Sequence, residues 1–388
     1  MTKREHLEAS LRNEMESAGV DAVIAVSPEN VQHLAGVFII SQRMIPERLA
    51  FAVFPRTRPP FFVVSTVVEY TARTQSWIDE IVPFTEHAVL PINGLIQALR
   101  DHGLERGRVW LETGYLPARD WNNLRSALPH LDVLDAERVL NRSRMIKVPA
   151  EIRRMSEIAR VWEEGVRDAY LSIEPGETER SIVRRMIRNL HAGGADWVPF
   201  VSFASGPERT LIAHSVPDET VVRPGAIMRL DLVAFFQGYY ADFGRMAIIG
   251  EPSAAQRAAY HKVVTLQQEM IARVKPGRRA ADLYRESVEI GRQLGMQFRM
   301  DAIGHSLGLR LHEYPILSPH EAEEHLAPDM LMCIEISHAF DGLGRFHVED
   351  LVRITDRGAE RITTLIDTSE LLVVGAGGQR APRRSGRS

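Results

Sequence analysis

The chain is poor in cysteine, in excess charge of either sign and in long apolar runs, and each shortage excludes something. Cys333 is the single cysteine among 388 residues. No internal disulfide can form, which suits a reducing compartment, and a cytoplasmic location is expected. The formal net charge is −4, so nothing drives the chain towards nucleic acid or an anionic membrane. No apolar run approaches the roughly 20 residues that a membrane-spanning helix needs. The opening stretch MTKREHLEASLRNEMESAG carries charges of both signs where a secretory leader has an apolar core, and it reads as an ordinary first helix. What remains is a globular composition, 45% hydrophobic and 25% charged. At roughly 100–200 residues per domain the length predicts two or three domains.

The first of these spans 1–148 and alternates strand-like with helix-like segments. DAVIAVS, LAFAVFP, PFFVVST and RVWLE read as strands, and ARDWNNLRSAL reads as a helix. Near NRSRMIKVPAE the texture changes, and Pro149 opens a long helical period. The second domain, 149–375, repeats itself loosely. A helix over 150–173 meets Pro175-Gly176 and a second covers 178–192; a helix over 253–274 meets Pro276-Gly277 and a second covers 279–293. After each pair comes His-x-x-Pro, His214 to Pro217 and His312 to Pro315. Pro224 then precedes Asp231, and Pro328 precedes Glu335, by the same spacing, and each strand returns with a second acid, Asp242 or Glu349. Landmarks in the same order predict two halves related by a pseudo-twofold axis. The closing segment, 376–388, is rich in Gly, Arg and Ser and is expected to be a disordered basic tail.

The run DLVAFFQGYYAD, from Asp231 to Asp242, has a carboxylate at each end of an apolar hairpin. With the turn at 235–238, Asp231 falls directly opposite Asp242, close enough that two charges repel. Glu335 and Glu349 pair similarly across the loop SHAFDGLGRF. If the two hairpins lie side by side, four carboxylates converge, and divalent cations shared between them relieve the repulsion. His305, between flanking glycines in AIGHSLGL, is the best nitrogen donor. Oxygen ligands with one imidazole favour manganese, cobalt or iron(II) over the thiolate-rich sites of structural zinc.

The order Asp231, Asp242, Gly304-His305, His312-Glu313-Tyr314-Pro315, Glu335, Glu349-Asp350 resembles that of the pita-bread metallopeptidase family, which includes prolidase, aminopeptidase P, methionine aminopeptidase and creatinase. FASGPERTLIAHSVP, RSRMIKVPAEI and, more weakly, NVQHLAGV extend the resemblance over nearly the whole chain. It implies an α+β fold, with a creatinase-type N-terminal α/β domain followed by a pseudo-twofold pita-bread domain. It further implies two divalent ions (manganese, cobalt, iron or zinc) held by Asp231, Asp242, His305, Glu335 and Glu349, with Asp242 and Glu349 bridging. A metal-bridging hydroxide would attack an amide carbonyl. His214 and His312 would bind the substrate carbonyl and the tetrahedral oxyanion, and Glu335 would move a proton. A homodimer is implied too.

Departures from that pattern touch the pocket wall. Glu335-Ile336-Ser337 stands for Glu-Pro-Gly, His347 for an arginine, Gly244 for a threonine and Val233 for a glycine. His347 therefore becomes a candidate substrate contact, and Arg43 and Arg48 become candidate replacements reaching a neighbouring subunit's site. Two substrate classes stay open: an Xaa-Pro or related short peptide, as for prolidase and aminopeptidase P, and a small non-peptide amide or related metabolite, as for creatinase- or ectoine hydrolase-like enzymes. A catalytically dead interaction module is disfavoured, because no ligand position is lost.

Overall fold

The computed structural model describes residues 3–174, 176–321 and 324–375, the side chains of 3 and 6 excepted. The basic tail over 376–388 and the landmark Pro175 lie outside the described residues. The chain divides into two units, Met1–Arg144 and Met145–Ser388. In the first, β1 (Ala22–Ala25), β2 (Phe51–Pro55), β3 (Phe61–Ser65), β4 (Glu80–Phe84), β5 (Arg108–Leu111) and β6 (Asp132–Asp135) form one sheet in the order β4-β3-β2-β1-β5-β6. β1 runs antiparallel to β2 and parallel to β5. Its central strands are apolar on both faces. Val23, Ala52 and Phe62 feed one core, while Ile24, Phe51 and Phe61 feed the other. Continuous apolar strands of that kind belong to a sheet buried on both sides. The helix expected over ARDWNNLRSAL spans Ala118–Ala127.

The second unit holds β7 (Trp197–Ser205), β8 (Ile227–Phe236), β9 (Tyr239–Ile249), β10 (Gly304–Ser306), β11 (Glu313–Ile316), β12 (Leu331–Phe340), β13 (Gly344–Thr355), β14 (Gly358–Arg361) and β15 (Leu372–Val374). They form two sheets, β15-β9-β8-β7 and β11-β10-β12-β13-β14. The helices Pro149–Leu171 and Glu179–Ala192 pack on the first sheet, with Trp162, Tyr170 and Met186 against Leu230, Leu232 and Phe243. The helices Ala254–Arg273 and Ala280–Gln293 pack on the second, with Tyr260, Met270 and Leu283 against Ile334, Ile336 and Val348. Capping fixes where these helices start. The Thr178 hydroxyl accepts from Ser181 N, and Ser253 and Gln256 cap each other reciprocally.

The repeat extends to details of the backbone. Gly176 and Gly277 have φ of 89° and 79°, and the residues after Pro224 and Pro328, Gly225 and Asp329, have 78° and 66°. Thr178 and Arg279 each make an isolated bridge to the matched positions Val221 and His325. Strand alternation then sorts the side chains. Leu230, Leu232, Ile334, Ile336 and Val348 face the helices, which leaves Asp231, Asp242, Glu335 and Glu349 on the opposite, inner faces. β9 and β13 lie against each other, so the two acid-bearing hairpins are neighbours.

Candidate metal centre

The first hairpin turns at Gln237 and Gly238, both with positive φ (50° and 99°). That is the signature of a two-residue turn whose twist matches the strands. It pairs Phe236 with Tyr239, so Asp231 faces Gly244 and Asp242 faces Val233. The expected direct Asp231–Asp242 opposition is therefore corrected to a diagonal one on the same face. The second hairpin follows the expectation, with Glu335 directly opposite Glu349. Its loop is shorter than the sequence suggested, because SHAF and GRF extend β12 and β13.

β10 delivers the imidazole. His305 is the cross-strand partner of Cys333. A Cβ on Gly304 would sit 2.1 Å from the Cys333 carbonyl oxygen, so only glycine lets β10 approach β12 this closely. His305 Nδ1 lies 3.0 Å from the Ser306 carbonyl oxygen, which assigns the proton to Nδ1 and leaves the Nε2 lone pair free. Nε2 is 3.8 Å from both Asp242 Oδ2 and Glu349 Oε1. Burial, helped by His312, holds the His305 pKa down at about 4, so the ring is neutral at neutral pH.

Three sets of donor atoms lie within 4.8 Å of one another: Asp231, Asp242 and Glu349; Asp242, His305 and His312; and His305, Cys333 and Glu349. Glu335 lies in none of them. Its Oε1 is 3.2 Å from His347 Nε2, near enough for an ion pair but without hydrogen-bond alignment. Burial would raise the Glu335 carboxyl, and His347, with His305 and His312 behind it, outweighs burial and leaves the pKa below the ordinary glutamate value. Asp242 and Glu349 stand well above their ordinary values, through burial first and then through neighbouring carboxylates. Asp231 is raised as well, chiefly by burial.

This donor set fits divalent ions. Asp242 Oδ1 and Glu349 Oε1 are buried with no hydrogen-bond partner among the described residues, a cost that a cation removes. The 3.8 Å gaps around His305 Nε2 are too wide for hydrogen bonds.

The remaining expected residues sit around this centre. His312 is exposed, its ring centroid 4.3 Å from that of His305. His214 is exposed, edge-on to Phe200 at 5.3 Å, and its field reaches Asp231. Arg43 and Arg48 belong to the first unit, where they pair with Glu29 at 2.9 Å and Glu86 at 2.5 Å.

Several supporting contacts were not legible in the sequence. Arg229 binds the carbonyls of Ile212 and Ala213 at 2.7 Å each, tying down the segment that carries His214. Lys147 and Glu313 form a buried 2.7 Å ion pair, and Glu313 also accepts from Leu309 N and Arg310 N, which fixes the approach to His312. Behind the site, Arg245 reaches Glu163 at 2.9 Å and Asp350 at 3.0 Å, bracing β13 from its outer side. Cys333, read only as a lone thiol, is on the site face. The position opposite His305 was its one available signal, and it needed the β10–β12 pairing.

Residues 153–356, just over half of the chain, match the profile of metallopeptidase family M24, and residues 9–146 match the creatinase/prolidase N-terminal domain. An Xaa-Pro dipeptidase of Pyrococcus furiosus is 28% identical over 226 residues, which are 58% of this chain and 65% of that protein. The chain thus spans about two thirds of that relative. An Xaa-Pro dipeptidase of Lactobacillus delbrueckii subsp. lactis is 22% identical over 357 residues, 91% of this chain and 95% of that protein. The solved structure of an Xaa-Pro dipeptidase from Bacillus anthracis superimposes with a TM-score of 0.84 at 23% identity, covering 96% of this chain and all of that one, and attests the fold.

Proposed function

The chain belongs to metallopeptidase family M24, a metal-dependent hydrolase of peptide bonds, and from that premise we propose that it is an Xaa-Pro dipeptidase working with two divalent ions. The observation that carries this reading is the pair of buried carboxylate oxygens on Asp242 and Glu349, without hydrogen-bond partners among the described residues, beside a neutral His305. Asp231, Asp242 and Glu349 would hold one ion, and Asp242, Glu349, His305 and Glu335 the other. Ions held there supply Lewis acidity and generate a nucleophile at neutral pH. The rest of the chemistry belongs to the chain. His312 and His214, exposed at the rim, donate hydrogen bonds to the substrate carbonyl and to the negative charge that develops on it. Glu335, partly exposed and touched by His347, carries a proton to the departing nitrogen. We infer manganese, cobalt or iron(II) from the oxygen-rich donors, a cytoplasmic location from the single buried thiol, and a homodimer from the resemblance. Among the described residues no helix is long and apolar enough to cross a membrane.

The test is turnover of Ala-Pro by protein reconstituted with Mn²⁺ or Co²⁺, alongside Asp242→Ala. The reading expects hydrolysis at ordinary enzymatic rates and a loss of at least about a thousandfold in the variant, which gives up both ions. Turnover of a small non-peptide amide with none of any dipeptide would replace it.

A further inference from the structure

On β13, Arg345, His347 and Glu349 alternate onto one face, and their cross-strand partners on β12 are Ala339, Ser337 and Glu335. Leading away from the expected ligands, the face therefore presents a carboxylate rung (Glu335/Glu349), an imidazole rung (Ser337/His347) and then a guanidinium. Arg345 is half-buried. Among the described residues it has no ion pair, and its Nε is buried without a hydrogen-bond partner. Among the described residues its one side-chain hydrogen bond is long, NH1 to Ser337 Oγ at 3.5 Å, and its backbone N–H is fixed on Thr210 Oγ1 at 3.2 Å. Arg229, whose field reaches both Asp231 and Glu335, repels it. A guanidinium kept away from carboxylates, crowded by a like charge and left with idle donors, is costly unless an anion completes it.

The contact with Ser337 folds the guanidinium back over the imidazole rung. Successive rungs on one face are about 7 Å apart. In a dipeptide the terminal carboxylate lies one residue, about 3.8 Å from Cα to Cα, beyond the scissile bond. A carbonyl held at the Glu335/Glu349 rung thus places that carboxylate within reach of Arg345. A longer peptide would put a neutral amide there and leave the guanidinium unpaired.

We propose that Arg345, positioned by Ser337 and backed by Arg229, is the specificity residue that takes the free α-carboxylate of the substrate. It restricts this enzyme to dipeptides and excludes aminopeptidase action on longer chains. The inference rests on the peptidase reading above and adds the substrate's second charged end to it.

Mn²⁺-loaded wild type, Arg345→Met and Arg345→Lys are compared on Ala-Pro and on Ala-Pro amide, with bound manganese and Tm measured for each. Wild type should favour the acid by about 10- to 100-fold in kcat/KM, the range for a charge-assisted contact. In Arg345→Met that ratio collapses towards one through a higher KM for Ala-Pro, with manganese content and Tm retained, and Arg345→Lys recovers part of it. An unchanged ratio in Arg345→Met overturns the proposal, as does an equal loss on both substrates. Wild type that discriminates normally but cleaves Ala-Pro-Ala as fast as Ala-Pro also overturns it. Failure of manganese-loaded wild type on every peptide rejects the peptidase reading itself, a different outcome from any of these.

Discussion

Gly244 and His347 fit each other as a hole fits a plug. A Cβ at 244 would lie 2.5 Å from His347 Cε1 and 2.8 Å from both ring nitrogens. Both residues depart from the family pattern, and the structure gives one reason for both: the ring occupies the volume that a side chain across from Asp231 would fill. Gly244→Ala must therefore push the buried ring off Glu335. We expect a destabilisation of about 1–3 kcal/mol and Mn²⁺ affinity weakened by about 10- to 100-fold, as when a ligand's supporting partner is disturbed. Thermal melts and calorimetric Mn²⁺ titration check this, and affinity equal to wild type would refute it. Neither Gly244 nor His347 announces the other in the sequence, because the contact joins two hairpins far apart in the chain. Arg345 was legible in principle: it lies at even spacing from His347 and Glu349. It was missed because the segment before His347 read as loop rather than strand.

At the level of elements, the long helices were readable within one or two residues, since each carries its own helical period and is bounded by a Pro or Gly in the sequence. The pairing of helices, the two acid-bearing hairpins and the glycine-flanked His305 were readable for the same reason: their signals are local. The hairpin register was not. Whether the turn centres between 236 and 237 or between 237 and 238 depends on which pair of residues accepts positive φ, which only the twist of the finished sheet decides. Gly238→Val, at φ 99°, should cost about 1–2 kcal/mol. It should keep the wild-type metal stoichiometry, because the turn sets register without touching the inner face. Melts combined with metal analysis test it; metal lost in a still-folded variant would contradict this division of labour.

On the scale of the molecule, folding around these acids makes stability depend on metal and pH together. In the metal-free protein the folded pKa values of Asp242 and Glu349 are raised. Their contribution is fully present below the ordinary carboxylate range and is lost as pH rises through the raised values. Metal binding requires both acids ionised, so it releases protons and strengthens as pH rises. The Tm difference between Mn²⁺-loaded and metal-free protein should therefore widen from about pH 5 to about pH 8. A difference that narrows over that span would mean the ions bind elsewhere.

Anomalous scattering from crystals of the manganese-loaded protein is the most direct measurement of all. Two peaks are expected on the inner face of the second unit, one against Asp231, Asp242 and Glu349 and one against Asp242, Glu349, His305 and Glu335. Peaks only outside this cluster, or none, would contradict the assignment of these side chains as the centre where the peptide bond is cleaved.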